Sequence, residues 1–163
     1  MRFAKPFRRV AAALAGSLLI VACSQAEEQT GTADVHAAET AAGSLEELMV
    51  AGKGIYEANC GACHQPNGKG LPGAFPPLAE SDYLLRDRED VLAVALSGLS
   101  GPITVNDQEY NSVMPSMAHL KDEDLAAALT YVFNSWGNSL AAVTPAEVAA
   151  LRDKLGKQDR ASG

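Results

Sequence analysis

Strand-like segments are scarce in this chain of 163 residues. Ala, Leu, Glu and Asp are common, so the composition leans helical, and the length allows one ordinary domain with tails. Basic residues are also few, with 13 Lys and Arg against 20 Asp and Glu. Four of the 13 (Arg2, Lys5, Arg8 and Arg9) fall within the first nine positions, which leaves nine basic residues against all 20 acidic ones in the rest. A domain with that balance repels nucleic acid and suits a basic patch on a protein partner, although the same charge also serves simple solubility. No apolar run is long enough to cross a bilayer: Val10 to Ala22 is only about a dozen residues. Cysteine is limited to three residues, with no second Cys/His pair to complete a zinc site.

Two of those cysteines stand in Cys60-Gly61-Ala62-Cys63-His64. This is C-x-x-C-H, the attachment pattern of a c-type haem. Each thiol can add to a haem vinyl group, and the adjacent His64 then lies against the iron as its proximal ligand. A thioredoxin-type dithiol is the competing reading. It requires a preceding strand and a βαβ context, and the sequence shows neither.

The third cysteine, Cys23, follows the short apolar run. A basic start, a short apolar core and a small residue before the break make residues 1–22 a signal peptide. Ile20-Val21-Ala22-Cys23 resembles a bacterial lipobox, in which the Cys is diacylated and becomes the new N-terminus. Ser24 in the next position implies outer-membrane sorting in that family. Ordinary cleavage after Ala22 would instead leave Cys23 an idle thiol. The expected location is the periplasmic side of a Gram-negative bacterium, lipid-anchored through Cys23 and so membrane-attached, or otherwise soluble in the periplasm. Residues 23–44 then form a flexible polar tether, and His36 within it is a solvated linker residue.

A haem domain is expected over 45–137, with a further helix and tail over 138–163. Ser44 is an N-cap, and Leu48, Ala51, Ile55 and Ala58 follow at helical spacing up to Cys60. Asp87 to Gly98 reads as a second helix. Residues 103–110 alternate around the turn pair Asn106-Asp107, a short hairpin or loop. A helix opens at Lys121 with Leu125, Leu129, Val132, Phe133 and Trp136 on its packing face. Thr144-Pro145-Ala146-Glu147 opens a last helix with a capping-box pattern, fraying from residue 156.

Residues 52–64 (GKGIYEANCGACH) resemble the first helix of a class I cytochrome c. The resemblance runs over about 48–156, and the expected fold is all-α: helices wrapped around one covalent haem c. It implies that Gly52 lets the last domain helix cross closely and that Leu78 packs on the haem. It also implies that a backbone carbonyl, from Pro76 or its neighbour Pro77, accepts a hydrogen bond from the free ring nitrogen of His64. Met114, in Val-Met-Pro, matches the sixth-ligand position of that family. Met117 reads as packing, and His119, the low-potential alternative, sits beside the next helix start.

Residues 73–84, 98–115 and 129–138 resemble a subgroup that includes cytochrome c domains fused to, or acting alongside, copper-containing nitrite reductases. The implied function is single-electron shuttling between redox proteins, with no small-molecule substrate and no enzymatic activity of its own. The donor side would be a quinol-oxidising complex and the acceptor a copper nitrite reductase. The alternative is a haem subunit of a membrane dehydrogenase or terminal oxidase. A peroxidase or gas sensor would require an exchangeable sixth position, against which Met114 argues.

Overall fold

The computed structural model describes residues 44–162. Cys23, His36, the signal segment and the tether before Ser44 lie outside the described residues.

Helix α1 (Leu45–Asn59) starts where local chemistry dictates. The Ser44 hydroxyl accepts from the Glu47 amide at 3.3 Å, while the Glu47 carboxylate accepts from the Ser44 amide at 2.8 Å. This reciprocal cap satisfies two otherwise orphaned donors. The buried stripe differs from the periodicity reading: Gly52 and Tyr56 are buried, Leu48 and Ile55 are half-buried, and Ala51 and Ala58 are exposed. Of the four periodic positions only Leu48 and Ile55 are part of the half-buried side, and the close approach is made at Gly52, as the resemblance implies.

A single helical turn, α2 (Gly61–His64), follows at once. A long loop and a 3-10 turn (Asp82–Leu85) lead to α3 (Arg88–Ser97), capped by the Asp87 carboxylate on the amides of Glu89 and Asp90. Strands β1 (Ile103–Val105) and β2 (Gln108–Tyr110) pair antiparallel, Ile103 with Tyr110 and Val105 with Gln108. Asn106 and Asp107 between them have φ of 49° and 61°, the doubly left-handed turn that suits a two-residue hairpin. Helix α4 (Asp122–Phe133) packs against α1 and against α5 (Pro145–Ser162). It is therefore buried on more than the expected face, with Ala126, Ala127 and Thr130 joining Leu125, Val132 and Phe133 inside, while Tyr131 meets α1 beside Gly52 as its position in the sequence suggests. Trp136 sits beyond the helix end, half-buried, with its ring 5.0 Å from Tyr56 and 5.2 Å from Tyr131. It anchors the α1–α4 crossing.

Helix α5 does not fray at 156; it continues to Ser162. Val148 and Leu151 bury its inner face. Two arginines fasten it. Arg88 of α3 donates to Glu147 at 2.8 Å and to the Ala142 carbonyl at 2.7 Å. Arg152 of α5 donates to Asp122 at 2.9 Å and to the carbonyls of Ala118 and Leu120 at 2.7 and 2.9 Å. Among the described residues no helix is long and apolar enough to cross a membrane.

Candidate haem site

The sequence Cys60–His64 folds as one helical turn because the Cys60 carbonyl accepts from both Cys63 and His64 amides, at 3.2 and 3.0 Å. A spacing of three places both thiols on one face of that turn. The turn is then fixed from both sides. Tyr56, fully buried, donates its hydroxyl to the Gln65 carbonyl at 2.7 Å, and the Gly70 amide donates to the His64 carbonyl at 2.9 Å.

His64 Nδ1 lies 3.0 Å from the Pro76 carbonyl oxygen. A carbonyl only accepts, so Nδ1 carries the proton and Nε2 keeps its lone pair for a metal. Between the two prolines left open by the sequence, the contact falls on Pro76. Gly70 selects it: at φ 61°, a Cβ there would lie 2.3 Å from the Phe75 oxygen and 2.5 Å from that of Pro76. The loop can close onto His64 only around a glycine. Burial lowers the His64 pKa against the opposing pull of the Pro76 carbonyl, which keeps the imidazole neutral as ligation requires.

One cavity is lined by Cys60, Cys63, His64, Pro76, Leu78, Met114 and Met117 together, and aliphatic side chains from α3, α4 and β1 close it. It contains about 1220 Å³ of space between atoms, its open mouth included. His119 is exposed and outside the lining. Met114 and Leu99 exchange both backbone hydrogen bonds, at 2.8 and 2.9 Å, so the Met114 segment is strapped to the end of α3. Gly98 permits that approach: at φ 78°, an added Cβ would lie 2.5 Å from the Met114 oxygen. Met117, 8% exposed, belongs to the hydrophobic core and anchors its amide on the Ala95 carbonyl at 3.0 Å.

Cys60 and Cys63 are not joined by a disulfide. Burial, with the neighbouring Cys63, pushes the Cys60 thiol up to about 11. A redox dithiol needs the opposite shift, toward a ready thiolate. The residues instead fit a haem: two thiols on one face, a neutral imidazole with a free Nε2, a thioether, and apolar walls. Sequence reasoning missed several supports of this site. Asn138 holds the Leu78 carbonyl at 2.8 Å from sixty positions away, and Arg152 holds the chain after Met117. Neither carries a local motif.

A covalent haem pocket in a small helical domain defines a c-type cytochrome. Residues 49–136 match the cytochrome c family, and the chain belongs to it: it has the cytochrome c fold, carries haem c and transfers electrons. The chain is 40% identical over 136 residues to cytochrome c-552 of Thermus thermophilus, covering 70% of this chain and 91% of the relative. It is 32% identical over 106 residues to the cytochrome c subunit of a quinone-dependent alcohol dehydrogenase of Gluconobacter oxydans, covering 63% of this chain but 22% of that protein. A cytochrome subunit of fructose dehydrogenase from Gluconobacter japonicus is similar at 31% over 109 residues.

Proposed function

We propose that Cys60 and Cys63 bind the haem covalently, that His64 and Met114 ligate its iron, and that the protein is an exported, independent carrier donating to a copper nitrite reductase. The convergence of those four side chains on one apolar cavity carries the site assignment. The bound haem supplies the one-electron couple. The protein's own residues set its conditions. Pro76 orients the His64 ring and raises its basicity. The thioether of Met114 favours the reduced state relative to a second imidazole, and the Leu99 bridge fixes its backbone. Leu78, Val91 and Val132 exclude water and lower the local dielectric, so little reorganisation accompanies the change of charge.

The acceptor assignment rests on the resemblance of residues 73–84, 98–115 and 129–138 to nitrite-reductase-associated domains, and on the acidic balance of the chain. Export and acylation at Cys23 rest on the lipobox-like segment; the tether would let the domain reach a membrane donor and a separate acceptor. A second reading is favoured by the dehydrogenase-subunit relatives: electron acceptance from a membrane dehydrogenase. Stopped-flow mixing of the reduced protein with a copper nitrite reductase and nitrite separates the two. Rapid oxidation that depends on nitrite and weakens with salt is expected. No oxidation there, with ready exchange with a quinone-dependent dehydrogenase, would transfer the assignment to the second reading.

A further inference from the structure

Ser81 stands out in the haem cavity. It lines the cavity, it is 4% exposed, and its Oγ has no hydrogen-bond partner in the protein. No other buried side-chain polar atom among the described residues is left so. Most of the cavity lining is apolar, Leu84, Val91 and Val105 among it, and no protein group pairs with this hydroxyl.

The backbone on both sides of Ser81 is fixed from the hairpin. Asn106 accepts from the Asp82 amide at 3.0 Å, donates its own amide to Asp82 Oδ1 at 2.8 Å, and donates its side-chain amide to the Glu80 carbonyl at 3.3 Å. Glu80, immediately before Ser81, is held at φ 48°, a conformation that persists in a non-glycine residue only where its surroundings over-determine it. The two flanking carboxylates are directed elsewhere, Asp82 onto the hairpin turn and Glu80 against Gly137. The result is a rigidly placed, buried, neutral hydroxyl at the wall of an apolar pocket, without a neighbouring anion to repel a second one.

A buried hydroxyl without a partner is destabilising, so the position implies a partner that arrives with the cofactor. The rim of a haem carries methyl groups, the two thioether links and two propionates. Of these, only the propionate oxygens are strong hydrogen-bond acceptors. We infer that Ser81 is a haem-binding residue whose hydroxyl donates to one haem propionate. The inference rests on this cavity being the haem pocket.

Nuclear Overhauser contacts in the reduced, haem-loaded protein test the placement. The Ser81 β-protons should contact a propionate methylene. Contacts only to ring methyl or meso protons would overturn the inference. Ser81→Ala and Ser81→Thr test the bond. A propionate without its donor is a less screened anion and favours Fe(III), so the midpoint potential should fall in Ser81→Ala and stay near wild type in Ser81→Thr. An unchanged potential in a haem-loaded Ser81→Ala protein would also overturn it. If Ser81→Ala does not mature, the contacts in the unmodified protein decide alone. The optical spectrum separates the two failures: a normal c-type spectrum leaves the haem site standing whatever Ser81 does.

Discussion

Gly52 and Gly54 sit two positions apart on α1, yet the same substitution should move stability in opposite directions. At Gly52 an added Cβ would lie 2.0 Å from the Ala127 oxygen, 2.6 Å from the Ala127 carbonyl carbon and 2.9 Å from the Tyr131 Cβ. The two nearest of these are backbone atoms, so no rotamer change relieves them. At Gly54 nothing lies within 4 Å. Replacing a mid-helix Gly by Ala gains about 0.5–1 kcal/mol through backbone entropy. Gly54→Ala should realise that gain. Gly52→Ala must instead push α1 from α4 by roughly 1.4 Å to restore an ordinary contact near 3.4 Å. Opening a packed interface in this way costs about 1–3 kcal/mol or more, and here it also loosens the Tyr56–Tyr131–Trp136 cluster. A net loss of about 2–3 kcal/mol lowers Tm by roughly 8–15 °C in a domain of this size.

Thermal unfolding of the haem-loaded proteins, followed by circular dichroism and by Soret absorbance, provides the measurement. Gly52→Ala should melt well below wild type and Gly54→Ala a few degrees above it. Leu125, Ala128 and Val132 of α4 line the haem cavity, so displacement of α4 should also broaden the haem spectrum in Gly52→Ala alone. Equal melting temperatures for the two variants would refute the reasoning, because helix propensity would then outweigh the backbone contact.

Arg152→Ala removes three hydrogen bonds that tie α5 to Asp122 and to the carbonyls of Ala118 and Leu120. With Arg152 about a third exposed, water replaces part of them, and the expected loss in a denaturant titration is about 1–2 kcal/mol. Arg152→Lys should recover less than half, since an ammonium cannot reproduce the planar fork. Glu147 is held below its ordinary pKa of 4.5 chiefly by the hydrogen bond from Arg88. A carboxylate depressed in the folded state contributes stability above its unfolded pKa and loses it as pH falls through the folded value. The advantage of wild type over Glu147→Gln in unfolding experiments should therefore be full above about pH 5 and close on further acidification. Met114→Ala should abolish the sulfur-to-iron charge-transfer band of the oxidised protein and lower the midpoint potential. Met117→Leu should retain the band; the reverse pattern would transfer the ligand role to Met117.

What the sequence made legible follows the range over which each interaction acts. The caps at Ser44 and Thr144 lie within three residues of the amides they serve, and the Asn106-Asp107 turn is a two-residue decision, so local residue chemistry suffices for both. The Cys60–His64 turn is local in the same sense. On α1 the family resemblance put the close crossing at Gly52, where it lies, whereas apolar periodicity, which presumes that side chains make the interface, also chose the exposed Ala51 and Ala58. The features that complete the site act over much longer separations. Asn138 reaches Leu78, Arg152 reaches Ala118, and Asn106 reaches the Glu80–Asp82 segment, in each case through a backbone carbonyl or amide that every residue type presents. A partner that carries no side-chain signature leaves no trace in a sequence pattern. The same reason hides Ser81: a lone hydroxyl in a loop is ordinary until burial removes every protein partner from it. The proposed haem-attaching residues are thus written locally, while the geometry around them is a property of the packed chain. Substitutions at Asn106, Asn138 and Arg152 should accordingly alter the haem environment while leaving the C-x-x-C-H motif untouched.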